Sequence, residues 1–150
     1  MKKELLSFIR YDTWATGMLI DAYRKAENPP AKTLETLAHI ISSRYIWYYR
    51  VIGEPSPVKI WEDYKPEDLR KELKQITSLW LDFLRTLKDD DVYTEITYKN
   101  NAGVEFTTPL FQIIFHLHSH SSYHRGQVMT LIRPHIKEVP VLDYIVFNRM

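Results

Sequence analysis

The sequence predicts an all-α fold, a four-helix bundle with a small β-hairpin before the last helix, and three observations carry that expectation. Four long segments repeat apolar residues at helical spacing. Their ends are marked by Asn28-Pro29-Pro30, Gly53-Glu54-Pro55, Asp89-Asp90-Asp91 and Pro134. One segment, 92–107, instead alternates about a turn, and it precedes the fourth helical run. Four long helices pack most simply as a bundle. At 150 residues, 45% of them hydrophobic, the chain reads as one domain over 1–150 with a substantial core.

The first helix is expected over 2–26, with Leu5, Ile9, Leu19 and Ala22 on its stripe and Phe8, Trp14 and Met18 filling the face. Within it, Tyr11-Asp12-Thr13-Trp14-Ala15 is ring-rich, which fits two packing rings on an amphipathic helix. The second helix is expected from Thr33, a plausible N-cap, to Val51. Its stripe is Leu34, Leu37, Ile41, Tyr45, Tyr48 and Ile52. His39 lies off that stripe, on a mixed flank with Ser43, Ile46 and Arg50, beside Trp47, as a cleft wall would require. A loop follows from Pro55 to Tyr64, with Trp61 expected against the body. Lys65-Pro66-Glu67-Asp68 opens the third helix, which runs to Leu87. The hairpin turns at Lys99-Asn100-Asn101-Ala102-Gly103, and Thr108-Pro109 starts the fourth helix, which continues to Arg133. Tyr144, Ile145 and Phe147 should pack the tail on the bundle or on a partner.

Composition removes several function classes. Twenty basic and 19 acidic residues give a net charge of +1, with no basic excess for nucleic acid. No apolar run reaches the roughly 18 residues that span a bilayer, so no membrane role is expected. Arg10 and Asp12 interrupt the apolar N-terminal stretch too early for a signal peptide, and a cytoplasmic location is the default. Cysteine is absent, which excludes disulfides, zinc–thiolate sites and cysteine nucleophiles in these residues.

The chemistry concentrates in 115–127, which holds four of the six histidines. On a wheel of about 100° per residue, Leu110, Ile113, Leu117, His120, His124, Val128 and Leu131 share an arc of roughly 80°. His120 and His124 are thus read as core-facing and one turn apart. Imidazoles in an apolar seam need partners for their nitrogens, and a shared metal ion supplies one. Hydrogen bonds to nearby hydroxyls or carbonyls are the alternative. His39, on its cleft-side flank, suits a third ligand, and three neutral imidazoles leave positions open for water or substrate. Zinc, nickel, manganese or iron(II) all accept such ligands. His116 lies at the edge of the arc, as a neighbour of the site or a solvent-facing acid–base. His118 and His135 read as surface residues. Gly126 suggests close approach of the first helix or of a second subunit, and Arg125 suggests a surface ion pair, with an anionic substrate group as the alternative partner.

Three motifs, Tyr11-Asp12-Thr13-Trp14-Ala15, Leu37-Ala38-His39 followed by Trp47, and His120-Ser121-Ser122-Tyr123-His124-Arg125-Gly126-Gln127, resemble those of the damage-inducible DinB/YfiT-like family of metal-dependent enzymes. The resemblance covers nearly the whole chain. It implies an up-down-down-up bundle, often a homodimer, with a metal on His39, His120 and His124. Members often carry a histidine where Tyr123 stands. Characterised relatives include transferases and isomerases that use a low-molecular-weight thiol. The resemblance therefore implies a metal-dependent enzyme, thiol S-transferase-like, acting on a small-molecule electrophile, with Arg50 or Arg125 as candidates to receive carboxylates of the thiol cofactor. A metal-dependent hydrolase and a non-catalytic stress-response metal-binding protein are the alternatives.

Overall fold

The computed structural model describes residues 1–150 and contains the four long helices. They are α1 (Lys2–Lys25), α2 (Ala31–Ile52), α3 (Leu69–Thr86) and α4 (Leu110–Ile132). A 3-10 turn, Asp90–Tyr93, follows α3 and leads into the antiparallel hairpin β1 (Glu95–Lys99) and β2 (Glu105–Pro109). A second 3-10 turn, Arg133–His135, follows α4, and one helical turn, α5 (Tyr144–Phe147), closes the chain.

Side-chain pairings fix the directions. Lys2 reaches the carbonyls of Arg85 and Leu87, while Asp21 pairs with Arg70, so α1 and α3 run antiparallel. Tyr45 meets Glu72 and Tyr48 meets Phe83, so α2 and α3 run parallel. His39 meets His124 and Trp47 meets His116, so α2 and α4 are antiparallel. Phe8 against Phe115 and Asp12 against Arg125 make α1 and α4 parallel. This is an up-down-down-up bundle with the ring order α1–α3–α2–α4, and the core runs through it from Leu5 and Leu37 to Trp80 and Ile114.

The element ends depart from expectation in instructive ways. Thr33 is not the N-cap of α2; the helix starts two residues earlier, after Pro30, and Thr33 is buried in the first turn. Proline at a helix entrance already has the required φ and has no N–H to satisfy, so it opened the helix earlier than the threonine. Pro66 likewise sits in a turn before α3, which begins after Asp68. The end of α2 follows the rule: Gly53 takes φ 74°, and Glu54 N–H donates back to the Tyr49 carbonyl. The hairpin pairs Thr97 with Thr107 and packs through Tyr98 against Trp47 of α2, with ring centroids 4.9 Å apart. The tail packs on α1. Tyr11 donates to the Leu142 carbonyl at 2.7 Å, and Phe147 lies against Trp14. No helix is long and apolar enough to cross a membrane.

A Cβ on Gly126 would meet nothing within 4 Å, so the first helix does not approach there, nor does any other helix of this chain. The close approach is at Gly17, where a Cβ would strike the Arg70 guanidinium.

Candidate metal centre

The buried spine of α4 runs through Leu110, Ile113, Ile114, Leu117, Ser121, Arg125, Val128 and Ile132. Leu110, Ile113, Leu117 and Val128 of the expected arc lie on it, and the other three members do not. His120 and His124 are half-buried on the flank toward α2 rather than on the spine, and Leu131 is only partly buried. The cause is that α4 is covered on two sides, by α1 and by α2, so a single apolar stripe does not describe it.

On the α2 flank the three predicted residues meet. His120 Nε2 lies 3.3 Å from His39 Nε2 and 3.2 Å from His124 Nε2, and ligand atoms of all three fall within 4.8 Å of one another. Two nitrogens each 2.0–2.1 Å from a tetrahedral zinc ion are separated by roughly 3.3 Å. The tautomers make the fit chemical as well as geometric. His39 Nδ1 lies 2.8 Å from the Ile60 carbonyl, which can only accept, so Nδ1 carries the proton and Nε2 a lone pair. His124 Nδ1 lies 2.7 Å from Gln127 Oε1, which, with the amide so oriented, fixes the same tautomer. His120 Nε2 faces both lone pairs, and a single N–H there could serve only one of them. Ser43 Oγ, 3.4 Å from His39 Nε2, is a distant substitute. A cation satisfies all three nitrogens at once. The residues present therefore fit a divalent metal ion, with the second nitrogens of His39 and His124 anchored as metal-ligating imidazoles usually are.

The surroundings favour the neutral form of His120 and His39. Burial, with the neighbouring His124, His39 and His116, pushes His120 down to about 4. Burial also lowers His39, against the Ile60 carbonyl, which raises it. The Pro55–Tyr64 loop supplies this cover. Its Ile60 carbonyl also accepts from Ser42 Oγ, and Trp61 stacks on the His39 ring at 3.9 Å. Trp61 is 49% exposed, so it covers the site rather than entering the core. Lys32 lies over the indole, 4.6 Å from the ring centre.

The centre opens on a cleft of about 450 Å³ bounded by His120, His116, Trp47, Arg50 and the hairpin turn at Asn100 and Asn101. His116 stands against Trp47 at the mouth of this cleft. What burial it has, and the Arg50 cation, hold its pKa below the ordinary histidine value.

A family model described as the DinB superfamily matches residues 14–128. The chain belongs to the DinB superfamily. The match contains all three converging histidines and the hairpin, and begins just after Asp12. A search of curated proteins returned no match to this DinB-superfamily chain.

On the other side of α4 lies a cluster that the sequence reading assigned to the surface. Arg125 is 3% exposed, and its guanidinium donates to Asp12 at 2.8 Å; Asp12 is itself 2% exposed. His118 Nδ1 lies 3.0 Å from the same carboxylate oxygen, and its ring stacks on Phe8 at 4.6 Å. So neither residue is a surface group. Arg44 of α2 is buried nearby and donates to Thr13 Oγ1 at 3.1 Å. Burial pushes it down to about 10, opposed by the Asp12 charge and reinforced by Arg125. The missed signal was spacing. Asp12 stands midway between Leu5 and Leu19 at seven-residue intervals, and Arg44 midway between Leu37 and Val51. Charges on an apolar stripe are buried and must be paired. His135 is the peripheral histidine expected, with Nδ1 donating to the Glu27 carbonyl.

Proposed function

We propose that this protein binds one divalent cation, zinc, nickel, manganese or iron(II), through His39, His120 and His124. We further propose that it is an enzyme that joins a low-molecular-weight thiol to a small electrophile. One observation carries the reading: three imidazole nitrogens, two with lone pairs aimed by fixed tautomers, converge beside an open cleft. A structural site would be closed by a fourth protein ligand; no fourth His, Asp or Glu joins this group.

A divalent cation held there lowers the pKa of a thiol or water that reaches it and polarises an electrophile. The chain's own residues supply the rest. The Ile60 carbonyl and Gln127 hold two rings in place, and Trp61 shields one face of His39 from water. His116, neutral at pH 7, stands in the cleft wall where it can take the thiol proton as sulfur bonds to the electrophilic carbon. The leaving group departs with its bonding pair. Reduced thiols of this kind accord with a cytoplasmic location. A homodimer is the accompanying family-based expectation, which light scattering checks.

The test is an assay of metal-loaded and metal-free protein with several small thiols and a chromogenic electrophile. Turnover that needs both metal and thiol is expected. Turnover that needs metal but no thiol assigns the site to hydrolysis. Turnover equal to that of the metal-free protein with every thiol contradicts an enzymatic role.

A further inference from the structure

Arg50 is the one formal charge in the cleft. Its guanidinium lies over the Trp47 ring at 4.8 Å and near the Tyr98 ring at 5.8 Å, and donates to Asn101 Oδ1 at 2.8 Å. These contacts hold it at the cleft wall, but none neutralises it. It is in none of the chain's ion pairs, and no aspartate or glutamate lines the cleft. Glu54 and Glu105 border a smaller groove that Arg50 also lines, without pairing with it. The turn that brings Asn101 to it is shaped by Asn100 Oδ1, which accepts the N–H groups of Ala102 and Val104. An arginine pinned between two rings and one amide, with donors left over, is arranged to receive a planar anion.

We infer that the cleft selects a substrate carrying a carboxylate, which Arg50 binds while the reacting group lies at the histidine centre. The inference rests on the proposed thiol chemistry only for the identity of that reacting group. A carboxylate is favoured over a phosphate because a single guanidinium is present. No lysine, second arginine or helix N-terminus lines the cleft to share a dianion. The span is set by α2: Arg50 stands 11 residues beyond His39, and His116 and His120 fill the intervening wall. Allowing for the reach of the arginine, the reacting atom and the carboxylate are separated by on the order of 10 Å.

The experiment is calorimetric binding to the metal-loaded protein of four ligand series of matched chain length. These are ω-mercaptoalkanoates, ω-mercaptoalkanols, simple alkanoates and alkyl phosphates, each measured on the native protein, Arg50→Met and Arg50→Lys. Melting curves check that the variants are folded. The mercaptoalkanoate should bind about tenfold or more tightly than the mercaptoalkanol, with an optimum at an intermediate length. Arg50→Met should remove that preference and leave mercaptoalkanol binding in place, while Arg50→Lys keeps part of it. Thiols that bind without carboxylate preference overturn the Arg50 inference and leave the thiol reading standing. Alkanoates that bind through Arg50 with no gain from a thiol do the reverse. A preference that survives in Arg50→Met, or alkyl phosphates that bind more tightly than alkanoates, also overturns the inference.

Discussion

On the α2 side of α4, three imidazoles converge with no carboxylate among them; on the α1 side, Asp12 sits among His118, Arg125 and Arg44. Both clusters place polar groups within the bundle, and both must satisfy them. The α1 side does so largely with its own opposite charges, although Arg44 Nη2 and Arg125 Nη1 are buried without a hydrogen-bond partner. The α2 side aims the His39 and His124 lone pairs at one His120 nitrogen, whose single N–H could serve only one of them, whereas a cation would satisfy all three. The first cluster should therefore govern stability, and the second should govern binding.

The largest expected effect tests the first half of that contrast. Asp12→Ala leaves two buried guanidiniums without their carboxylate and should cost about 3–5 kcal/mol in urea unfolding. Metal stoichiometry of the folded fraction should not change. The next tests the second half. A divalent metal at a hundred times its Kd should raise stability by about 2.7 kcal/mol, in native protein and in His118→Gln alike, but not in His120→Ala. Chelation should return the native protein to the metal-free curve without unfolding it, since the core packs independently of the centre.

Acid separates the clusters further. His120 and His39 titrate below the ordinary 6.5 in the folded state, His120 near 4. Above pH 6.5 both folded and unfolded chains hold these rings neutral, and they add no pH dependence. As pH falls from about 6.5 toward 4 the unfolded chain takes up protons first, so metal-free stability should fall across that window. In His120→Ala the fall should be shallower, as urea titrations at stepped pH would show. Smaller still, His118→Gln should cost about 1 kcal/mol in urea unfolding through its lost bond to Asp12. Gly126→Ala, at an open helix-interior position between the clusters, should gain about 0.5–1 kcal/mol by thermal melt.

The two clusters also differ in how far the sequence disclosed them. The helices and hairpin were legible because their periodicities and breakers are local, and His120 and His124 because a repeat of four on one helix is local too. His39 was legible as a residue off its stripe. The α1-side cluster was hidden by the assumption that each helix has one buried face. Asp12 and Arg44 stood on apolar stripes, but their partners come from other helices, and only the packing of α1 beside α4 and α2 shows which charges meet. Arg50 was visible as a flank residue, yet its place in the cleft depends on the hairpin turn, whose Asn101 lies 51 residues away.

The central claim is that three histidines from two helices form one cation site. Competitive metal titration of the native protein beside His39→Ala, His120→Ala and His124→Ala tests it most directly. One ion per chain is expected for the native protein, with affinity lowered by more than about 100-fold in each variant, beyond the loss typical of an outer-shell change. Undiminished affinity and stoichiometry in His39→Ala would contradict it.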